Sequence, residues 1–329
     1  MEQPPAPLCI TMGEPAGIAP EITAKAWLAR QDAGLPPFFL LGSVQAFRAQ
    51  SIACPLLPIN APHEATAQFQ HGLPVLELPG FPEHITPGKA LATTAPFVIE
   101  AITQAVALAQ QGLVRGIVTN PIQKSALYAA GFQDPGHTEF LARLAGKPPS
   151  YSVMMLAVPG LRVIPLTIHV PLKAVPALIT EQAIRHVSLI AHQELRDRFG
   201  IDRPRLAVAG LNPHAGEAGG IGQEEQSIIA PALATLKDEG IEISGPYPAD
   251  TLFHEEARTH YDAVLCMYHD QALIPLKTID FHRGVNITLG LPFVRTSPDH
   301  GTALNIAGQN KARPDSLIAA IHMAAEMTR

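Results

Sequence analysis

The sequence predicts an α/β protein with a mixed sheet, on three observations. Short β-branched apolar runs alternate with segments of helical period, the pattern of parallel strands joined by crossover helices. The turn dipeptide Pro159-Gly160 separates two strand-like runs, residues 151–158 and 161–170, so part of the sheet is expected to be antiparallel. The 329 residues are 47% hydrophobic and 16% charged, enough apolar material for one large core or for two lobes.

Residues 11–21 read as a strand end, a Gly/Pro turn and a helix start, whose backbone N–H groups can face an anion. Over residues 95–111, Ile99, Ile102, Val106 and Ala109 recur at three- and four-residue steps, which predicts a helix with Gly112 as its stop. Residues 116–119 follow as a buried strand. Two more helix–strand pairs are expected, residues 181–199 before 205–209, and 224–237 before 261–267. His137-Thr138 precedes a helix-like segment, 139–144, so the Thr138 hydroxyl is either its N-cap or a ligand contact. With no repeat and no low-complexity linker, residues 1–329 read as one unit of two sequence-interleaved α/β lobes.

Composition narrows the function. Against 29 acidic side chains there are 23 basic ones, a formal charge of -6, so no basic field exists to hold nucleic acid or an anionic membrane. A bound phosphate must then be held by a few placed side chains and N–H groups. Cys9, Cys54 and Cys266 are far apart and lack C-x-x-C spacing, which argues against a disulfide framework and a thiolate metal site. No signal-like or transmembrane-length apolar stretch is present, and a cytoplasmic protein is expected.

Three histidines close strand-like runs: His169 in Pro165-Leu-Thr-Ile-His-Val, His214 in Gly210-Leu-Asn-Pro-His-Ala-Gly, and His269 in Cys266-Met-Tyr-His-Asp-Gln. In open α/β sheets ligands bind where strands finish. Three neutral imidazoles suit zinc, cobalt or another divalent first-row metal; three structural, hydrogen-bonded histidines are the alternative. Asp270, beside His269, and Lys277 are candidates for proton transfer. Lys277, Asn286 and Arg295 stand in strand-like or turn-flanking contexts and together can hold a phosphate, or each is an ordinary surface residue. The glycine-dense stretch 212–222 is either a close approach to a ligand or a surface loop. In residues 296–308, His300-Gly301 can admit an adenine or ribose against exposed backbone, or the stretch is a loop capped by Asp299; no G-x-G-x-x-G or Walker lysine occurs.

Taken together, Met12-Gly-Glu-Pro-Ala-Gly-Ile-Ala-Pro-Glu21, Asp134-Pro-Gly-His-Thr-Glu139, Leu211-Asn-Pro-His-Ala-Gly-Glu217, Met267-Tyr-His-Asp-Gln271, Val285-Asn-Ile-Thr-Leu-Gly-Leu291 and Arg295-Thr-Ser-Pro-Asp-His-Gly-Thr302 resemble the 4-hydroxythreonine-4-phosphate dehydrogenase family nearly end to end. Glu14 stands where that family often has Asp, and Ala272 where it often has Gly. The resemblance implies an isocitrate/isopropylmalate-dehydrogenase-like fold, two α/β lobes around a central cleft, and a homodimer with its active site at the subunit interface. It implies a divalent metal (zinc, magnesium or cobalt) on His169, His214 and His269. It assigns substrate binding to His137, Thr138, Lys277, Asn286 and Arg295, and binding of NAD or NADP to the Asp299–Thr302 loop. The implied reaction oxidises a small phosphorylated hydroxy acid, 4-phosphooxy-L-threonine, whose β-keto acid product loses carbon dioxide on the way to pyridoxal phosphate. Relatives acting on phosphorylated threonate or erythronate are the alternative within the family; a phosphate acyltransferase or a phosphometabolite sensor is the alternative outside it.

Overall fold

A computed structural model describes residues 5–82, 84–134 and 136–329; Pro135 of the Asp134–Glu139 motif and the first four residues of the N-terminal stretch lie outside the described residues. The described strands, in chain order, are β1 (Leu8–Thr11), β2 (Phe38–Gly42), β3 (Leu56–Ile59), β4 (Leu73–Glu77), β5 (Gly116–Thr119), β6 (Val153–Val158), β7 (Leu161–Thr167), β8 (Leu206–Ala209), β9 (Ile243–Tyr247), β10 (Ala263–Tyr268), β11 (Val285–Leu289) and β12 (Val294–Pro298). The chain divides into two compact units, Met1–Ser152 with Leu291–Arg329, and Val153–Gly290.

The first unit contains the strands β3-β4-β2-β1-β5-β12, every neighbouring pair parallel. Every residue of β1, β2, β5 and β12 is buried, as expected where helices cover both faces of a parallel sheet. The Ala95–Gln110 helix packs on β1, β2 and β5 through Val98, Ala101, Ile102, Ala105 and Val106. Its buried stripe is therefore displaced from the apolar pattern of the sequence: Ile102 and Val106 belong to it, while Ile99 and Ala109 are half-buried. Ala101 and Ala105 take the central positions because their small side chains let the helix approach the sheet closely.

In the second unit the order is β11-β6-β7-β10-β8-β9, with β11–β6 and β6–β7 antiparallel and the other pairs parallel. The sheet is mixed, and Pro159-Gly160 makes the hairpin turn, Gly160 supplying a φ of 81°. The Glu181–Asp197 helix is capped by Thr180, whose hydroxyl accepts from the Ala183 N–H at 3.1 Å. Its buried Ile184, Ser188, Ala191 and Leu195 recur at helical steps. The helix expected over residues 224–237 is divided into a π-helical turn, Glu225–Ile229, and an α-helix, Ala230–Asp238. Pro231, near the start of the α-helix, lacks the N–H that would carry an i→i−4 ladder through the junction.

Several local expectations change. The helix after Asp134 begins at His137 and runs to Leu144, with extended Gly136 as its N-cap, so Thr138 lies inside the first turn and does not cap. Lys277 sits in the His269–Ile279 helix, not in a strand or turn. Arg295 is buried on β12, 3% exposed, and is no surface residue. Among the described residues no helix is long and apolar enough to cross a membrane.

Candidate functional site

In the second unit, β7, β10 and β8 are parallel neighbours, so their C-terminal ends share one edge. His169 follows β7 by two residues, His269 directly follows β10, and His214 follows β8 after Gly210-Leu-Asn-Pro213. Buried hydrogen bonds tie the three ends together. The Thr167 hydroxyl donates to the Met267 carbonyl at 2.8 Å; the Met267 N–H donates to Gln271 Oε1 at 2.6 Å; Gln271 Nε2 donates to the Gly210 carbonyl at 2.8 Å.

The His169 and His269 ring centroids lie 6.0 Å apart. Two imidazoles on one tetrahedral first-row metal place their centroids about 5 Å apart, so a small side-chain adjustment lets this pair share a cation. The His269 Nδ1 is 2.7 Å from Asp270 Oδ1. A proton on Nδ1, held by that carboxylate, leaves the Nε2 lone pair for a metal. The pair lines a cavity of about 280 Å³ with Ile168, Leu172, Val175 and Tyr268. The donor chemistry fits a borderline divalent cation. Among the described residues, however, no three His, Cys, Asp or Glu side chains are gathered into a metal-holding group, so His214 does not complete one with His169 and His269.

His214 opens an unusual turn. His214, Ala215, Gly216, Glu217 and Ala218 all have left-handed backbone, with φ of 53°, 50°, 81°, 45° and 52°. Four of the five carry a Cβ, and such residues cost roughly 1–2 kcal/mol each in this region, so the surroundings must enforce the conformation. The glycine-dense stretch is thus a specified structure and not a featureless loop.

Of the other second-unit candidates, Asp270 and Lys277 are seven residues apart on one helix and so share a face. The Lys277 Nζ lies 5.4 Å from the Phe281 ring centre. Asn286 is on β11 opposite Leu156, three strands from β10, or about 14 Å at ordinary strand spacing.

The first unit holds a cationic group. Arg295 donates from Nε and Nη2 to the Thr119 hydroxyl at 3.0 and 2.6 Å, and burial lowers its pKa to about 10. His137 is held well below the ordinary imidazole range, first by burial and then by the positive charges of Arg295 and Lys124. Its Nε2 is buried without a hydrogen-bond partner. A neutral imidazole with an orphaned ring nitrogen, next to two cations, is chemically suited to an anion.

The loop proposed for the dinucleotide is anchored at Thr302. Its hydroxyl donates to Gln123 Oε1 at 2.8 Å and its carbonyl accepts from the Ile18 N–H at 3.0 Å. The Asp299 N–H donates to Ser316 Oγ at 3.0 Å, so this residue is held by its backbone. A Cβ built on Gly301 would meet nothing within 4 Å, and His300 is exposed beside it. Glu14, in the loop that abuts Thr302, is 2% exposed; burial pushes its carboxyl up to about 6 although it accepts the Ala16 N–H. A cavity of about 740 Å³ in this unit, lined by Ser43, Arg48, Glu77 and Phe81 among others, contains none of the motif residues.

Sequence reasoning gave no role to Thr119, Gln123, Lys124, Gln271 or Glu225. Gln271 lies inside a quoted motif, and its place beside the His-Asp pair was the available signal. Thr119 and Gln123 acquire meaning only when the end of β5 meets residues more than a hundred positions later, and Lys124 only when its charge comes near His137.

Comparison with known proteins gives the same picture over the whole chain. Residues 35–324 match the family described as pyridoxal phosphate biosynthetic protein PdxA. A 4-hydroxythreonine-4-phosphate dehydrogenase of Bradyrhizobium diazoefficiens is 52% identical over 334 residues, covering 98% of this chain and 96% of that one. The crystal structure of a 4-hydroxythreonine-4-phosphate dehydrogenase from Klebsiella pneumoniae superposes with a TM-score of 0.88 at 40% identity, over 98% of this chain and all of that one. A terephthalate 1,2-cis-dihydrodiol dehydrogenase from Burkholderia xenovorans superposes with a TM-score of 0.68 at 26% identity, over 98% of each chain. The architecture is of the isocitrate/isopropylmalate-dehydrogenase-like class. With these matches spanning the strand ends that carry the histidines, the buried arginine and the Thr302 loop, the chain belongs to the PdxA family of pyridoxal phosphate biosynthetic proteins.

Proposed function

We propose that this protein is a 4-hydroxythreonine-4-phosphate dehydrogenase acting in pyridoxal 5'-phosphate biosynthesis. It oxidises the C3 hydroxyl of 4-phosphooxy-L-threonine, passing hydride to NAD or NADP. The product, 2-amino-3-oxo-4-(phosphooxy)butanoate, is a β-keto acid that loses carbon dioxide to give 3-amino-2-oxopropyl phosphate. The observation that carries the reading is the placement of His169, His269 and His214 on three adjoining parallel strand ends that share one hydrogen-bond chain.

In this reading His169 and His269 would hold a divalent cation, zinc, cobalt or magnesium, with His214, which stands outside that pair in this structure, as the expected third ligand; imidazole favours the first two metals. When bound, the cation would supply Lewis acidity to the oxygens of the substrate. Asp270 fixes the tautomer and orientation of His269. Lys277, on the same helix face, is the candidate for moving a proton to or from the substrate, with Asp270 its rival in that role. His137, Thr138 and Arg295, with Lys277 and Asn286, bind the substrate, and the cations of this set neutralise its phosphate. Lys124 joins them, since its charge already acts on His137. Asp299, His300, Gly301 and Thr302 receive the dinucleotide, the open space at Gly301 admitting it close to the backbone.

The protein acts as a homodimer in the cytoplasm. Exposed Leu172, Ile274 and Phe281 on the second unit, 67%, 65% and 70% accessible, support a partner surface there, and the free cysteines suit a reducing compartment.

The test is nicotinamide reduction, followed by absorbance, with 4-phosphooxy-L-threonine and with the phosphorylated threonate and erythronate as competing substrates. Turnover of the threonine compound that chelation, His214→Ala and His269→Ala each abolish supports the proposal. Turnover of the threonate or erythronate alone would replace it with a catabolic assignment.

A further inference from the structure

The loop that abuts Thr302 is held from behind by a side chain that no motif contains. Gln50 follows the short helix Val44–Ala49 as its C-cap and is 7% exposed. Its Nε2 donates to two carbonyls of the loop, Pro15 at 2.9 Å and Gly17 at 2.7 Å. Both neighbours are acceptors, so only the amino end of the amide can face them. The other end, Oε1, is buried without a partner, a cost that an apolar side chain of the same length would avoid. The Gly17 carbonyl belongs to the same peptide unit as the Ile18 N–H, which donates to the Thr302 carbonyl at 3.0 Å. In a trans peptide these two groups point in opposite directions. Gln50, the 17–18 peptide and Thr302 therefore form one line of hydrogen bonds, each polarising the next. The approach is close: a Cβ on Gly17 would stand 2.7 Å from the Thr302 carbonyl oxygen. Other bonds hold other peptides of the loop, the Ala16 carbonyl accepting the Gly88 N–H and the Glu14 N–H donating to the Pro121 carbonyl, each at 2.8 Å.

We propose that Gln50 is a positioning residue for the dinucleotide: by orienting the 17–18 peptide it sets the place of the Thr302 carbonyl and, through it, of the Asp299–Thr302 loop. The proposal rests on the reading of that loop as the nucleotide-binding one. The loop has two other anchors, the Thr302 hydroxyl on Gln123 and the Asp299 N–H on Ser316. Neither fixes the backbone plane at Thr302, which is what the line from Gln50 reaches. Loss of the two donors lets the 17–18 peptide tilt, and the backbone shifts beside Gly301, where the protein leaves open space.

The experiment compares the full-length chain with Gln50→Met, which keeps the length of the side chain and removes both donors. The readouts are the Kd of NADH and of NADPH, followed by nicotinamide fluorescence, and steady-state kinetics with each substrate varied in turn. Gln50→Met is expected to raise the Kd of the preferred nucleotide and the KM of its oxidised form by about 10-fold, since misplacing a binding group by a fraction of an ångström costs less than the 100-fold of a full displacement. KM for the phosphorylated substrate should stay within about twofold, because Gln50 does not act on it. Gly301→Val is the control for the loop: its side chain meets nothing in the protein, so a loss of nucleotide binding would come from the space the ligand needs. If Gly301→Val weakens nucleotide binding and Gln50→Met does not, the positioning role is overturned and the loop reading stands. If Gln50→Met raises both KM values together, Gln50 only supports the unit, and the positioning role is again overturned. Unchanged nucleotide affinity in Gly301→Val overturns the loop reading and the positioning role with it. If Gln50→Met does not fold, Gln50→Asn, whose shorter amide cannot span both carbonyls, carries the same comparison.

Discussion

Glu14 offers a measurement whose size follows from its surroundings. Burial raises its carboxyl from an ordinary 4.5 to about 6, the Ala16 N–H opposing the shift only in part. A carboxyl whose folded pKa lies above its unfolded value prefers the protonated form in the native state. Its stabilising contribution is therefore fully present below pH 4.5 and is lost as pH rises through about 6. The shift corresponds to about 2 kcal/mol. Glu14→Gln keeps the shape and an acceptor oxygen for Ala16 but cannot ionise. Denaturant unfolding of both chains across this range should show the glutamine variant gaining on the parent by about 2 kcal/mol between the acid and the neutral side. All other titrations are common to the two and cancel in the difference. A difference that stays constant to within about 0.5 kcal/mol across that window would show that Glu14 ionises as an ordinary exposed carboxylate, and the reasoning would fail.

Thr119→Val removes the acceptor of two donor groups of buried Arg295, and unfolding should register a loss of about 1.5–3 kcal/mol. On the proposed role of Arg295 in substrate binding, steady-state kinetics should also show KM for the phosphorylated substrate rising more than kcat falls. Added cobalt should raise the unfolding midpoint of the metal-free chain progressively with its concentration, as any ligand of the native state does, and a midpoint indifferent to cobalt would remove the metal from the account. Combined Leu172→Asp and Phe281→Asp should shift sedimentation from a dimer toward the 35.1 kDa chain, while an unchanged dimer would place the interface elsewhere.

The sequence was most legible where structure is local. A run such as Cys266-Met-Tyr-His reads as a strand end because apolar residues stop and polar ones start, and strand ends are where parallel sheets bind ligands. The hairpin at Pro159-Gly160 was legible for the same reason, its turn chemistry lying between its own strands. Arg295 was not: Val-Arg-Thr-Ser-Pro looks like surface, and it is buried because β12 pairs with β5 and the Thr119 hydroxyl meets the guanidinium. Thr138 looked like a cap because capping hydroxyls precede helices, yet extended Gly136 starts the helix without one. Glu225 stands 13 positions from Asn212 across a left-handed turn that has no periodic signature, so nothing in the order of residue types joined them.

The insertion of one unit within the other sets an order on synthesis. Val153–Gly290 is contiguous and can collapse as it emerges, but β5 must wait for β12, since Gly116 pairs with Val294 near the far end of the chain. At roughly 5–20 residues per second, that side of Gly116-Ile-Val-Thr119 stays open for about 10–40 s on each ribosome. An apolar parallel strand with an unfilled edge is a template for the wrong neighbour, so newly made chains are most vulnerable to misassembly in that interval, while the inserted unit is being made and before its host can close.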